Sequence, residues 1–279
     1  MKKIGLVDYF ISEWHANNYP GWIRELCKKE NLDYEIAYAY AELDLSPVTG
    51  ESTDEWCKRM GVQKCLTIDE LCEMSDFIII LAPSHPETHL HLAKEVLKHG
   101  KRTYIDKTFA PEYETAKEIF RLSDEGGAPI FSTSALRYAE ELRGMDSVSN
   151  IITTGGGSNL AEYAIHQIEM AVMLLKCAPV SLKLEKQGMQ SVIRVKFEED
   201  KFATMVYSPA LPFSICTSDG NTDEYKEITS DFFAGLMVDV INFFETGKVS
   251  FDKAETLNAI KIRGGIISAM KKEGEWLAL

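Results

Sequence analysis

Asp76-Phe77-Ile78-Ile79-Ile80-Leu81-Ala82-Pro83 is the stretch on which the fold turns. Its apolar run is strand-length, too short for a helix of ordinary size, and it shows no polar alternation, so both faces of the strand must be covered. That pattern belongs to a parallel strand inside a doubly wound α/β sheet. The neighbouring segments agree. Strand signals at Lys3 to Val7, Tyr34 to Tyr40, Arg102 to Ile105 and Pro129 to Thr133 alternate with helical signals. The helices are expected at Tyr19 to Glu30, Thr53 to Met60, Ile68 to Met74, His89 to His99 (stopped by Gly100) and Glu112 to Glu125 (stopped by Gly126-Gly127). After about residue 135 the pattern changes. A helix opens near Ser158-Asn159, three alternating strands follow (Ser181 to Lys186, Ser191 to Glu198, Phe202 to Tyr207), and helices at Ser230 to Thr246 and Asp252 to Lys271 close the chain. The expected fold is therefore a Rossmann-like doubly wound domain over 1–135 and a smaller α+β open-sheet domain over 136–279.

Composition narrows the function classes. A chain of 279 residues with 45% hydrophobic content can bury a sizeable core. The Met-Lys-Lys start leads directly into Ile4-Gly5-Leu6-Val7, which reads as a first strand and not as a signal peptide, and no apolar run has the length of a membrane span. A soluble, cytoplasmic protein without a membrane partner is expected. A net charge of −13 with no Lys/Arg cluster argues against a nucleic-acid partner, because phosphate backbones require a basic face. The six cysteines form no Cys-x-x-Cys pair, so free thiols are expected in place of disulfides or a thiolate zinc site. His85, His89 and His91 cluster, but Pro86 interrupts them and no carboxylate stands at metal-ligand spacing, so no metal is expected.

Chemistry concentrates in Gly155-Gly156-Gly157-Ser158-Asn159 and the helix that follows. Most of that helix is apolar, yet Glu162, His166 and Glu169 fall at i, i+4 and i+7, on one face. Ionisable groups on a largely buried helix line a cleft or complete a polar network; the same spacing also occurs on the solvated face of an ordinary amphipathic helix. In the first domain, ligands bind beyond the carboxyl ends of the strands. The loops there hold Asp8-Tyr9-Phe10, Glu42, Ala82-Pro83-Ser84-His85 and Asp106-Lys107-Thr108.

Leu81-Ala82-Pro83 with His89, then Gly100-Lys101 and Asp106-Lys107, resembles the succession of a Pro-containing loop, a His and a Glu-Lys-Pro motif in the glucose-fructose oxidoreductase / inositol dehydrogenase / MocA family. The glycine turn with Glu162, Ala164 and His166 resembles that family's Asp-x-Gly-x-His helix, and Arg137-Tyr138 its Arg-Phe pair. The resemblance implies hydride transfer between NAD or NADP and a sugar, cyclitol or related polyol, in a protein that forms homo-oligomers. It implies Lys107 and His166 as catalytic residues, with Glu162 orienting the imidazole, and a cofactor site drawn from Asp8, Tyr9, Phe10, Glu42, Ala82, Pro83, His85, His89, Asp106, Lys107 and Arg137. A non-redox ligand-binding or regulatory descendant is the alternative. It is raised by the first turn, where Asp8 and Phe10 stand at positions that glycines occupy in Gly-x-Gly-x-x-Gly. Thr108 replaces the motif proline, and only 16 residues separate Tyr138 from Gly155.

Overall fold

A computed structural model describes residues 1–145 and 148–279, in which the chain forms two compact units. Unit 1 comprises Met1–Ala110, Glu114–Thr133 and Leu236–Ser250; unit 2 comprises Pro111–Tyr113, Ser134–Gly235 and Phe251–Leu279.

Unit 1 is built on β1 (Lys2–Asp8), β2 (Tyr34–Ala41), β3 (Gln63–Lys64), β4 (Phe77–Ile80), β5 (Thr103–Ile105) and β6 (Ile130–Phe131). They form one parallel sheet in the order β3-β2-β1-β4-β5-β6. Between them run α1 (Trp14–Glu30), α2 (Thr53–Met60), α3 (Ile68–Met74), α4 (Pro86–Leu97) and α5 (Tyr113–Gly126). Ile78, Ile79 and Ile80 are wholly buried, as a strand covered on both faces requires. The order reverses between β1 and β4, so the crevice beyond their carboxyl ends is the place where such a sheet receives a ligand. Leu236–Ser250 returns to this unit from late in the chain: Phe244 stacks on Phe77 at 4.7 Å, Phe243 meets Phe131, and Lys2 pairs with Glu245.

Unit 2 is a mixed sheet of β7 (Asn150–Gly155), β8 (Pro179–Gln187), β9 (Gln190–Phe197), β10 (Phe202–Tyr207), β11 (Ser214–Ser218), β12 (Asp223–Glu227) and β13 (Trp276–Ala278). The order is β12-β11-β7-β10-β9-β8-β13, with β7 and β10 parallel and the other pairs antiparallel. Helices α6 (Leu160–Leu175) and α8 (Lys253–Ala269) pack on one another and on the sheet. The remaining helix, α7 (Phe232–Thr246), leads into the segment that joins unit 1. The expected α/β fold with a second open-sheet unit is the observed one, although β7, β11, β12 and β13 carried no clear strand signal.

All six cysteines are free. Burial pushes the Cys57 and Cys72 thiols up to about 12 and Cys65 up to about 11. A thiol held far above neutral pH is a poor nucleophile. These three cysteines are expected to resist alkylation in the native protein, and six thiols should titrate after denaturation without reductant; masses showing a bridge would contradict the assignment. No helix is long and apolar enough to cross a membrane, and no group of His, Cys, Asp and Glu spaced to hold a metal ion occurs among the described residues.

Candidate functional site

Two groups of polar residues stand out, one in each unit. In unit 2 the group is built on α6. Gly156 and Gly157 set the entry to this helix: a Cβ on Gly156 would lie within 3 Å of the carbonyl oxygens of Ser208, Pro209 and Leu211, and one on Gly157 (φ +141°) would strike the Tyr163 ring. Asn159 then caps α6 by accepting from the Glu162 N–H at 2.9 Å, and its own amide donates to Glu162 Oε2 at 3.1 Å. One turn on, His166 is half-buried, with Phe213 and Tyr163 ring centroids at 5.6 and 5.7 Å. Its Nδ1 lies 2.7 Å from Ser134 Oγ. A hydroxyl can donate or accept, so this contact holds the ring in one place whichever tautomer it adopts.

Ser134 is itself fixed. It heads the short 3-10 turn Ala135–Tyr138, and its Oγ accepts from the Leu136 N–H. Two positions into that turn, Arg137 is buried and donates to Glu169 on α6 at 3.0 Å and to Glu255 on α8 at 2.6 Å, beneath the Phe251 ring. Ser134–His166 and Arg137–Glu169 thus tie the same two segments together at equal spacing along each. Burial opposes the Arg137 charge, and Glu169 and Glu255 outweigh it, holding the guanidinium above its usual value. The carboxylate–imidazole–carboxylate face is therefore not a solvated stripe. Glu169 is a buried partner of Arg137, Glu162 belongs to the helix cap, and His166 meets a hydroxyl that no local spacing announces.

In unit 1 the carboxyl ends of β1, β4 and β5 bring Asp8, Ala82 and Asp106 to neighbouring positions on the sheet edge. Asp8 is buried. Its Oδ1 accepts from the Tyr9 N–H at 2.7 Å and from the Ala82 N–H at 3.0 Å, bridging β1 to the loop after β4; its Oδ2 is buried without a hydrogen bond. Ala82 takes a left-handed backbone (φ +60°) to present that N–H. Phe10 is buried, and the His85 ring lies 5.1 Å from Tyr9 and 5.5 Å from Phe10. Pro83 is buried beside Ala82, and the exposed Glu42 follows β2. His89 is wholly buried with its ring nitrogens toward the carbonyls of Leu81 and Phe109, where it braces two loops. Asp106 Oδ1 accepts from the hydroxyls of Tyr19 and Tyr104, both at 3.0 Å. Lys107 is nine-tenths buried, precedes a cis peptide to Thr108, and makes no hydrogen bond or ion pair among the described residues. Arg137 lies in unit 2, committed to its two carboxylates.

Helix α1 starts at Trp14, five residues before the expected Tyr19, and its cap is Glu13. The Glu13 carboxylate accepts from the N–H groups of both His15, at 2.8 Å, and Ala16. Those first amides are the ones that receive a dinucleotide pyrophosphate in sheets of this order. With Glu13 on the amides, a buried Asp8 behind them and no glycine in the turn, the residues present do not fit a pyrophosphate in that pose. The loop is also pinned. Ser12 Oγ donates to Glu51, Ser46 donates to the Ser12 carbonyl, and Arg59 holds the Glu51 carboxyl down to about 2.

Burial, and then the charges of Glu13 and Asp106, push the Asp8 carboxyl well above its ordinary 3.8. A folded-state value above the unfolded one costs stability as pH rises from the ordinary range toward the folded value. Asp8→Asn keeps the acceptor for Tyr9 and Ala82 and cannot ionise. It is expected to be more stable than wild type by about 1–3 kcal/mol near neutral pH, with the gap closing toward about pH 4. Denaturant titrations across that range check it; a gap that widens toward acid contradicts it.

No family model matches the chain. A stretch of 63 residues, 23% of this chain and 18% of the relative's length, is 30% identical to the "uncharacterized oxidoreductase YhhX" of Escherichia coli (strain K12). That match spans under a fifth of the curated relative. Solved structures align over nearly the whole chain. A probable dehydrogenase from Thermotoga maritima has a TM-score of 0.79 at 9% identity and covers 99% of this chain and 98% of its own. An apo scyllo-inositol dehydrogenase from Lactobacillus casei has a TM-score of 0.78 at 11% identity, covering 99% and 98%. GenD2 from gentamicin A biosynthesis, in complex with NAD, has a TM-score of 0.75 at 12% identity, covering 100% and 97%. The chain has the fold of these dehydrogenases, in line with the family its sequence resembles.

Proposed function

We propose that this chain is a member of the glucose-fructose oxidoreductase / inositol dehydrogenase / MocA family that acts on a sugar, a cyclitol or a related polyol. One observation carries the reading: a half-buried imidazole, His166, held by a hydroxyl at 2.7 Å on a helix braced by a buried ion network. Such a ring accepts a proton from a ligand hydroxyl, or returns it, without losing its orientation. The family resemblance assigns a second role to Lys107, buried and without an ion-pair partner among the described residues, as a cation able to stabilise negative charge on oxygen. Glu162 acts on the ring through the cap of α6.

Hydride transfer to NAD or NADP is the reaction class supported by the fold shared with the dehydrogenases and by the NAD complex of one of them. When bound, the nicotinamide supplies the hydride acceptor. The first turn, with Glu13 on the amides and Asp8 behind it, does not fit the pyrophosphate. The same mismatch favours the second reading, a non-redox ligand-binding descendant. Thermal-shift and calorimetric titration against a polyol panel test the proposal. A ligand at about 100 times its Kd should stabilise the protein by about 2.7 kcal/mol, and His166→Asn should remove the effect. Native mass spectrometry separates the readings. A co-purifying dinucleotide supports the dehydrogenase; polyol binding with no dinucleotide supports the descendant; no polyol response in wild type overturns both.

A further inference from the structure

The amide groups at the start of α1 and the crevice between β1 and β4 form the one place where this type of sheet seats a phosphate-bearing cofactor. Here the chain supplies its own anion. Glu13 is only slightly exposed, and both of its oxygens are engaged, one with the His15 N–H and the other with the Ala16 N–H. His15 returns across the carboxylate: its Nδ1 lies 3.4 Å from Glu13 Oε2 and its Nε2 3.5 Å from Asp106 Oδ2. The imidazole therefore stands between two carboxylates, one from the helix cap and one from the end of β5. On the other side of the crevice Asp8 spans the switch point through Ala82. Asp8 and Asp106 each keep one buried oxygen with no hydrogen-bond donor. A phosphate placed here would meet the Glu13 and Asp106 carboxylates and the buried Asp8 carboxyl, and the His15 and Ala16 amides are already taken by Glu13.

We infer that Glu13 is a built-in occupant of the phosphate seat, and that unit 1 excludes dinucleotides and other phosphate-bearing ligands from the start of α1, so any ligand of this crevice is unphosphorylated. This deepens the second reading above and does not involve His166. The geometry assigns Glu13 a specificity-determining role. A carboxylate that merely capped a helix would need neither the His15–Asp106 backing nor the Asp8 bridge, and a short Ser or Thr side chain is the usual cap.

Calorimetric titration of the full chain with NAD, NADP and inorganic pyrophosphate tests the inference. Wild type is expected to give no measurable heat from any of them. Glu13→Ser keeps a capping hydroxyl, and so the helix, but frees amide groups and removes a charge; it should gain NAD or pyrophosphate affinity by at least about tenfold. The triple change Glu13→Ser, Asp8→Gly, Phe10→Gly should gain more. The melting temperature of each variant, measured alongside, separates loss of fold from loss of site. Tight dinucleotide binding by wild type, left unchanged in Glu13→Ser, overturns the inference, and so does a folded Glu13→Ser with no gain for any of the three probes. Polyol binding is read separately, so failure of the His166 reading leaves this result interpretable.

Discussion

In the dehydrogenase reading, replacing His166 by Asn is expected to lower polyol turnover by about 10²-fold or more while the melting temperature stays near that of wild type; in the ligand-binding reading the same change weakens polyol binding. Asn retains a side-chain group able to hydrogen-bond Ser134, and it cannot carry a proton through the reaction. His166 is half-exposed and not part of the core, so little packing is lost. Ser134→Ala removes the hydroxyl that holds the ring, and a smaller loss follows, since the imidazole remains but is no longer fixed. Lys107→Met tests the other group, with a loss of the same order. Two variants that both unfold, with no ligand effect on either, would mean a structural role and would contradict the assignment.

The largest effect on stability is expected at Arg137. Its side chain is 6% exposed, and it neutralises Glu169, at 4%, and Glu255, at 19%. Removing one member of a buried ion network leaves the others charged and desolvated, which typically costs about 3–5 kcal/mol. Arg137→Met is expected to lose that much in denaturant unfolding and to weaken polyol binding, because the same turn carries Ser134. Adding Glu169→Gln to Arg137→Met removes one stranded charge and should recover part of the loss, a coupling that two independent sites would not show. A loss under about 1 kcal/mol for Arg137→Met would show that the network carries no weight.

Much of this architecture is legible along the chain, for identifiable reasons. Ile78-Ile79-Ile80 reads as a doubly covered strand because every residue is apolar, and Thr53–Met60 and Ile68–Met74 have capping side chains at their starts and the observed bounds. Trp14 to Asn18 lies outside the expected helix Tyr19 to Glu30, yet α1 begins at Trp14 and runs through Pro20, so Glu13 as a cap escapes a local reading. Asp223–Glu227 has no apolar alternation and forms a strand by pairing with β11 at a sheet edge. The site divides in the same way. His166 stands out because an imidazole interrupts an apolar helix. Its partner Ser134 is 32 positions away, and Glu255 is 118 from Arg137, separations that only the tertiary fold closes.

The most direct test of the central claim is a crystal structure of the protein grown with the polyol that stabilises it most. A ligand hydroxyl is expected within about 3 Å of the His166 ring, with Ser134 still on Nδ1 and the Glu13 carboxylate still on the first amides of α1. A polyol ordered elsewhere, with His166 turned away from it, would contradict the account.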